Sequence, residues 1–184
     1  MKVVAPLERR PVEIKLTSNY PELGIRSFGK GSFHKPPLSG VDVGTKKLFQ
    51  IHTNDLIFQI VFAWEGAVAV ALPKDHGRFG SHRFLTCVPK TGLATSTFLC
   101  FHFLTSRGLE QLGKASPGGA GRNRTLGLKA LEEIQVPVPA YEKQLEFDKL
   151  KAKFDEMKHI RQEALRELDA MLPSILDRAF KDEL

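Results

Sequence analysis

The sequence predicts an α+β protein, with one mixed α/β domain over residues 1–139 and a long helical segment over residues 140–184. Three observations lead there. Apolar runs of strand length, punctuated by glycine and proline, fill the first two thirds of the chain. Beyond Pro139 the pattern changes to apolar residues at alternating steps of three and four. Charge changes at the same place: residues 1–140 hold 18 Lys and Arg against 10 Asp and Glu, while residues 141–184 hold 9 against 11.

A length of 184 residues suits one domain plus an appendage, and an apolar fraction of 42% supports a real core. Thirteen Phe against two Tyr and one Trp point to packing. The basic front suits a polyanion and the near-balanced tail suits protein contact. Cys87 and Cys100 are too far apart for a C-x-x-C site, and their apolar neighbours predict buried free thiols.

In chain order, residues 1–20 read as an irregular lead-in with a short strand at Val12–Leu16. A glycine-rich basic loop follows at Gly24–Gly31, then Pro36 and Pro37. Leu56–Trp64 and Ala67–Leu72 read as strands joined by a tight turn at Glu65 and Gly66. A polar loop spans Pro73–Ser81, and Arg83–Val88 is another strand. Thr95–Thr105 reads as helix, since Phe98, Leu99, Phe103 and Leu104 keep helical spacing, and Leu109–Leu112 extends it. Ala115–Arg124 reads as a glycine-rich loop outside any core. Leu126–Glu133 is a short helix and Ile134–Val138 a short strand.

The long helix is expected from about Glu142 to Leu172, on the order of 45 Å at ~1.5 Å per residue. Pro173 removes a backbone donor, so a kink or restart is expected there. Phe147, Leu150, Phe154, Met157, Arg161, Ala164, Leu168, Met171 and Ile175 occupy the heptad positions, and only Arg161 breaks the apolar seam. One helix cannot bury such a stripe, so it calls for a partner helix or for packing back on its own domain. Ile160, Leu165 and Leu172 widen the stripe toward a second neighbour.

The motifs exclude more chemistry than they assign. Gly24-x-x-x-x-Gly29-Lys30 approaches a phosphate-cradling P-loop, but Gly31 stands where Ser or Thr must hold magnesium. His76 and His82 have no metal-ligand spacing with acidic or Cys partners, so no metal is expected. Asp42, Asp55, Glu65 and Asp75 are too scattered for a nuclease site. No amino-methylation box and no Ser/His/Asp set is present. The basic loops remain: Arg26, Lys30 and Lys35; Lys74, Arg78, His82 and Arg83; and the segment SPGGAGRNR, where Arg122, Asn123 and Arg124 carry guanine- and adenine-type donors.

No apolar run nears the ~20 residues of a membrane span, and no signal peptide is read. The closing Lys181–Leu184, an ER-retention address, is therefore taken as coincidence. The expected compartment is a reducing cytoplasm.

Three stretches together resemble the specificity (S) subunit of type I restriction–modification systems. They are Leu23–Lys35 (LGIRSFGKGSFHK), Phe62–Ala71 (FAWEGAVAVA) with Gly77–Arg83 (GRFGSHR), and Leu128–Pro139 (LKALEEIQVPVP) with Gln144 and the helix ending Leu168–Arg178. The third is the most specific, since it matches the family's strand-to-spacer-helix junction.

The resemblance implies a target recognition domain that reads a short half-site in double-stranded DNA. It implies helices that form an antiparallel coiled coil and act as a ruler. It also implies docking to methyltransferase (M) subunits and to the ATP-driven restriction (R) subunit, with no active site in this chain. S-adenosylmethionine, ATP and magnesium would then belong to the partner subunits. The chain carries one recognition domain and one spacer helix where the family usually has two of each. Its junction reads Pro139–Gln144 (PAYEKQ) in place of Pro-Pro-Leu-Glu-Glu-Gln. The expectation is a half-size subunit, natural or truncated, that pairs with itself to read an inverted-repeat target. The alternatives are a coiled-coil protein-interaction adaptor with an incidental basic face, or an RNA-binding module, for which the sequence lacks the RRM signature.

Overall fold

The computed structural model describes residues 1–118 and 124–180, with the backbone alone described at 174, 175, 178 and 179. Two compact units emerge, Met1–Gln144 and Leu145–Leu184.

The first unit is built on two sheets. Strands β1 (Pro11–Val12), β2 (Asn19–Ile25), β3 (Ser32–Ser39), β4 (Leu48–Gln50) and β7 (Phe79–Ser81) form a five-stranded sheet in the order β1-β4-β7-β2-β3. Its one parallel pair is β2 with β7, and the other neighbours are antiparallel. Strands β5 (Leu56–Gln59), β6 (Val68–Val70) and β8 (Phe84–Cys87) form an antiparallel sheet with β5 in the middle.

Strand β5 explains why the apolar run from Leu56 does not alternate with polar residues. Leu56 and Phe58 enter one core, with Val68, Leu85, Leu99, Phe103, Leu112 and Leu131. Ile57 faces the other way into a second core, with Leu23, Ile25, Ile51, Ala69 and Phe84. The small sheet is thus buried on both faces, between the helices and the larger sheet. Phe58 meets Phe103 edge to face at 5.0 Å, a favoured aromatic geometry. A third cluster of Tyr20, Val43 and Leu48 closes the far side of the large sheet.

The predicted Thr95–Thr105 helix is present as α2 (Ser96–Leu104), and the short helix near Leu126 as α4 (Leu128–Glu133). The expected extension of α2 is a separate helix, α3 (Ser106–Lys114). Thr105 ends α2 and caps α3, accepting from the Gly108 N–H at 3.2 Å. Gly108 fits where it does because a Cβ there would stand 2.1 Å from the His102 carbonyl oxygen. Short α1 (Gly40–Val43), capped by Ser39, went unread in the sequence.

Several expectations are corrected. The strand expected at Val12–Leu16 is only Pro11–Val12. The lead-in is not loose: Met1 and Ala5 are core residues, and the Met1 amine donates to the Ile134 carbonyl. The Glu65–Gly66 turn is longer than expected, since β5 ends at Gln59 and a 3-10 turn occupies Ala63–Glu65. Residues 134–138 form no strand, as Pro137 and the flanking Pro139 remove two donors from any ladder. Ala115 and Ser116 are buried, so the glycine-rich loop begins inside the core. Cys87 is buried, but Cys100 is only partly so. Burial pushes the Cys87 thiol up to about 12.

Helix α5 runs Tyr141–Phe180 without a restart at Pro173. On an exposed helix, the carbonyl that Pro173 leaves unpaired can turn to water, so the break costs less than it would in a core. The first unit reaches Gln144 because the first turn of α5 is tied into the domain by that residue. Its carboxamide, fully buried, donates to the carbonyls of Leu93 and Pro139, each at 2.9 Å, and accepts from the Thr95 N–H at 3.1 Å.

Candidate nucleic-acid interface

Strands β2 and β3 are joined by the loop 26–31, which carries Arg26, Ser27, Phe28 and Lys30. The Arg26 N–H donates to the Gly31 carbonyl at 3.0 Å and closes the loop. The loop then docks on the 3-10 turn at Ala63–Glu65. Phe28 N–H donates to the Glu65 carbonyl at 2.8 Å and Gly29 N–H to the Gly66 carbonyl at 3.0 Å. Ser27 Oγ adds a bond to Glu65 Oε2 at 3.1 Å. Glu65 therefore holds the loop in place. The Arg26 guanidinium lies 4.5 Å from the Phe33 ring centroid, and Lys30 Nζ lies 5.9 Å from that of Phe28.

The same 3-10 turn holds the third basic segment. Arg124 stacks its guanidinium 5.2 Å from the Trp64 ring, and Trp64 Nε1 is fixed by the Val61 carbonyl at 3.0 Å. An open cleft of about 460 Å³ beside them is lined in part by Leu109, Lys114 and Ser116. Arg122 and Asn123 lie outside the described residues.

The second basic segment is tied to the first through Asp75. This fully buried carboxylate accepts from Ser32 Oγ and His34 Nε2 at 2.8 Å each, and from the Leu72 N–H at 3.0 Å. Burial alone would raise its pKa, but the Leu72, His34 and Ser32 bonds outweigh burial and hold it below the usual carboxylate range. Asp75 thereby pins the 3-10 turn at Pro73–Asp75, which exposes Lys74, against the start of β3. Arg78 reaches the Glu22 carbonyl of β2 at 3.4 Å. Lys35 and Pro36 together oppose Glu22 where the β2–β3 register shifts in a bulge.

His82 and Arg83 are exposed on the turn between β7 and β8. The Arg83 carbonyl accepts from Ile60 N–H at 2.9 Å, and the Ile60 carbonyl accepts from Leu126 N–H at 2.9 Å. The His82–Arg83 turn and the segment leading from Arg124 therefore share one support. Arg9 is a cation that sequence reading passed over. It stands 4.6 Å from the Phe49 ring and donates to the His82 carbonyl at 3.0 Å, and burial lowers its pKa. It braces the turn.

In the second unit, the expected seam is displayed along α5. Leu150, Phe154, Met157, Ala164, Leu168 and Met171 are exposed, as are Ile160, Leu165 and Leu172. Phe147 is partly buried, Arg161 is exposed, and the Ile175 side chain lies outside the described atoms. His159 pairs with Glu163 at 3.2 Å, one turn on. Among the described residues, no group of three His, Cys, Asp or Glu is placed to hold a metal ion. No described helix is long and apolar enough to cross a membrane.

No family model and no curated protein matches this chain. Solved structures do. One is the HsdS subunit from Thermoanaerobacter tengcongensis, with TM-score 0.65 and 19% identity, covering 94% of this chain and 46% of that one. Another comes from work on complex assembly and conformational transition of the type I R-M system, with TM-score 0.65 and 19% identity, covering 96% of this chain and 47% of that one. The chain spans about half the length of the solved chains it matches. Over nearly its whole length, it has the fold found in one half of an HsdS chain.

Proposed function

We propose that this chain is a non-catalytic, sequence-specific DNA-binding subunit of a type I restriction–modification system. The observation that carries the reading is the fold likeness to HsdS over 94% of this chain and 46% of that one. The basic loops around the β2–β3 hairpin supply the DNA-facing groups, and the exposed stripe of α5 supplies the surface for a partner helix.

In this reading two copies pair through α5 in antiparallel sense. The helix has 40 residues, about 60 Å at ~1.5 Å per residue. The two domains stand more than the ~34 Å of one DNA turn apart, and two-fold symmetry selects an inverted repeat with an unread spacer. Arg161 comes near its symmetry mate. Either the register is offset there, or Arg161 reaches a carboxylate of the mate such as Glu163 or Glu167. Methyltransferase and restriction subunits dock on the complex and bring S-adenosylmethionine, ATP and magnesium.

The test is a gel shift of the full chain against random duplex DNA and against RNA, with and without a type I methyltransferase subunit. Duplex binding strengthened by that subunit, followed by selection of an inverted repeat, is expected. Selection of a single asymmetric half-site would refute the paired reading. Capture of the methyltransferase subunit without any DNA binding would leave the adaptor reading in its place.

A further inference from the structure

Phe28 stands at the tip of the β2–β3 loop and is 72% exposed. Its backbone is left-handed at φ 62°, a region that a bulky side chain seldom adopts. The conformation is imposed by the Phe28 and Gly29 bonds to the 3-10 turn at 2.8 and 3.0 Å. Gly29 follows at φ 64°, so two successive left-handed residues turn the ring outward. Strain of this kind persists only where the surroundings enforce it, and it concentrates at ligand-contacting sites. Its loop also carries two cations, Lys30 with its Nζ 5.9 Å from the Phe28 ring and Arg26 held on the Phe33 ring at 4.5 Å.

A rigidly presented apolar ring on a loop that carries two cations matches one chemical task on a polyanion. We propose that Phe28 inserts against a base-pair step of duplex DNA and partly unstacks it, while Arg26 and Lys30 hold the flanking phosphates. The inference rests on the DNA-binding reading above. Insertion costs least at pyrimidine–purine steps, which unstack readily. Phe28 then contributes sequence preference at a step where no side chain reads a base edge.

The test uses the full chain and a duplex selected on it from a random pool, with 2-aminopurine placed at successive positions. The wild type is expected to raise 2-aminopurine fluorescence at one step. Phe28→Gly relieves the left-handed strain, so its Tm should be no lower than wild type. Its affinity should fall by roughly 5- to 150-fold, as for loss of one base–aromatic contact, with an unchanged salt slope and no fluorescence rise. Phe28→Trp should keep the rise. Arg26→Ala with Lys30→Ala should flatten the salt slope instead. Undiminished binding by Phe28→Gly, a fluorescence rise that persists in it, or a lowered Tm overturns the wedge and leaves the DNA-binding reading standing. A wild-type chain that retains no duplex from the pool overturns both.

Discussion

The Gln144 carboxamide donates to the Leu93 carbonyl at 2.9 Å, across 51 residues of sequence. With its bonds to Pro139 and Thr95, both amide hydrogens and the carbonyl oxygen are engaged while the side chain is fully buried. The first turn of α5 is held to the domain by polar bonds in a dry site, where an unpaired group is costly.

Removing that side chain should therefore hurt stability more than its size suggests. Gln144→Ala strands two carbonyls and one N–H, and should destabilise the first unit by ~1–3 kcal/mol. Gln144→Glu should do at least as much harm, because a carboxylate would face two carbonyl oxygens. Urea midpoints at constant m report both changes, and a midpoint equal to wild type would show that water replaces the lost bonds.

The exposed stripe of α5 predicts self-association. Phe154→Asp with Met157→Asp places charges at two seam positions that are 61% and 67% exposed in the single chain. Light scattering should return a dimer for the wild type and a monomer for the double variant, with much weaker DNA binding. Because these side chains lie outside the domain core, thermal unfolding of the first unit should be unaffected. A dimer that survives both substitutions rules the seam out.

Phosphate contacts release counterions, so affinity should fall steeply as salt rises. Each phosphate-bound cation removed by substitution should reduce the log–log slope by ~0.9. Single alanine variants of Lys74, Arg78, Arg83 and Arg124, titrated across salt concentrations, separate phosphate-binding cations from those that only brace the fold. Salt-independent binding by the wild type contradicts the interface as a whole.

Two ionisable groups give the domain opposite pH limbs. The Asp75 carboxyl is held below its ordinary 3.8, so the native state releases this proton more readily than the unfolded chain does. Its stabilisation is complete above 3.8 and lost as pH falls through the lower native value. Asp75→Asn should flatten that acid limb in urea unfolding. The Cys87 thiol behaves in the reverse sense, ionising at 9.0 when unfolded and at about 12 when folded, so stability should decline as pH rises across that interval. An acid limb unchanged in Asp75→Asn would assign the effect to other carboxylates.

Phe58 tests the buried central strand. It is fully buried and edge-on to Phe103 at 5.0 Å, so Phe58→Ala should cost ~3–5 kcal/mol. A cost under half of that in calorimetry would mean that the core collapses around the cavity.

The sequence was most legible where local pattern decides structure. The β5–β6 hairpin, β8, α2 and the α5 stripe all follow from runs or periods within a few residues of one another. The three-residue strands β4 and β7 carry no such signal. Leu48–Gln50 and Phe79–Ser81 become strands by pairing with each other across some thirty positions and with β1 and β2 on their outer sides. The basic residues of the candidate interface are visible in composition, but their supports are not. Asp75 reads as a stray acid until Ser32 and His34 close on it. Arg9 reads as one more surface cation, although it braces the turn at His82. Phe28 gave no warning in sequence, because a left-handed phenylalanine is set by the neighbouring turn and not by its own propensity.

The longest strand of the large sheet, β3, lies at its edge and carries Pro36 and Pro37. Two missing N–H groups and the bulge at Lys35 make that edge a poor template for another strand. Copies of this chain are thereby discouraged from adding to one another strand by strand, a mode of growth with no natural end. What α5 offers instead is an exposed apolar stripe of side chains, a surface for another helix and not for another strand.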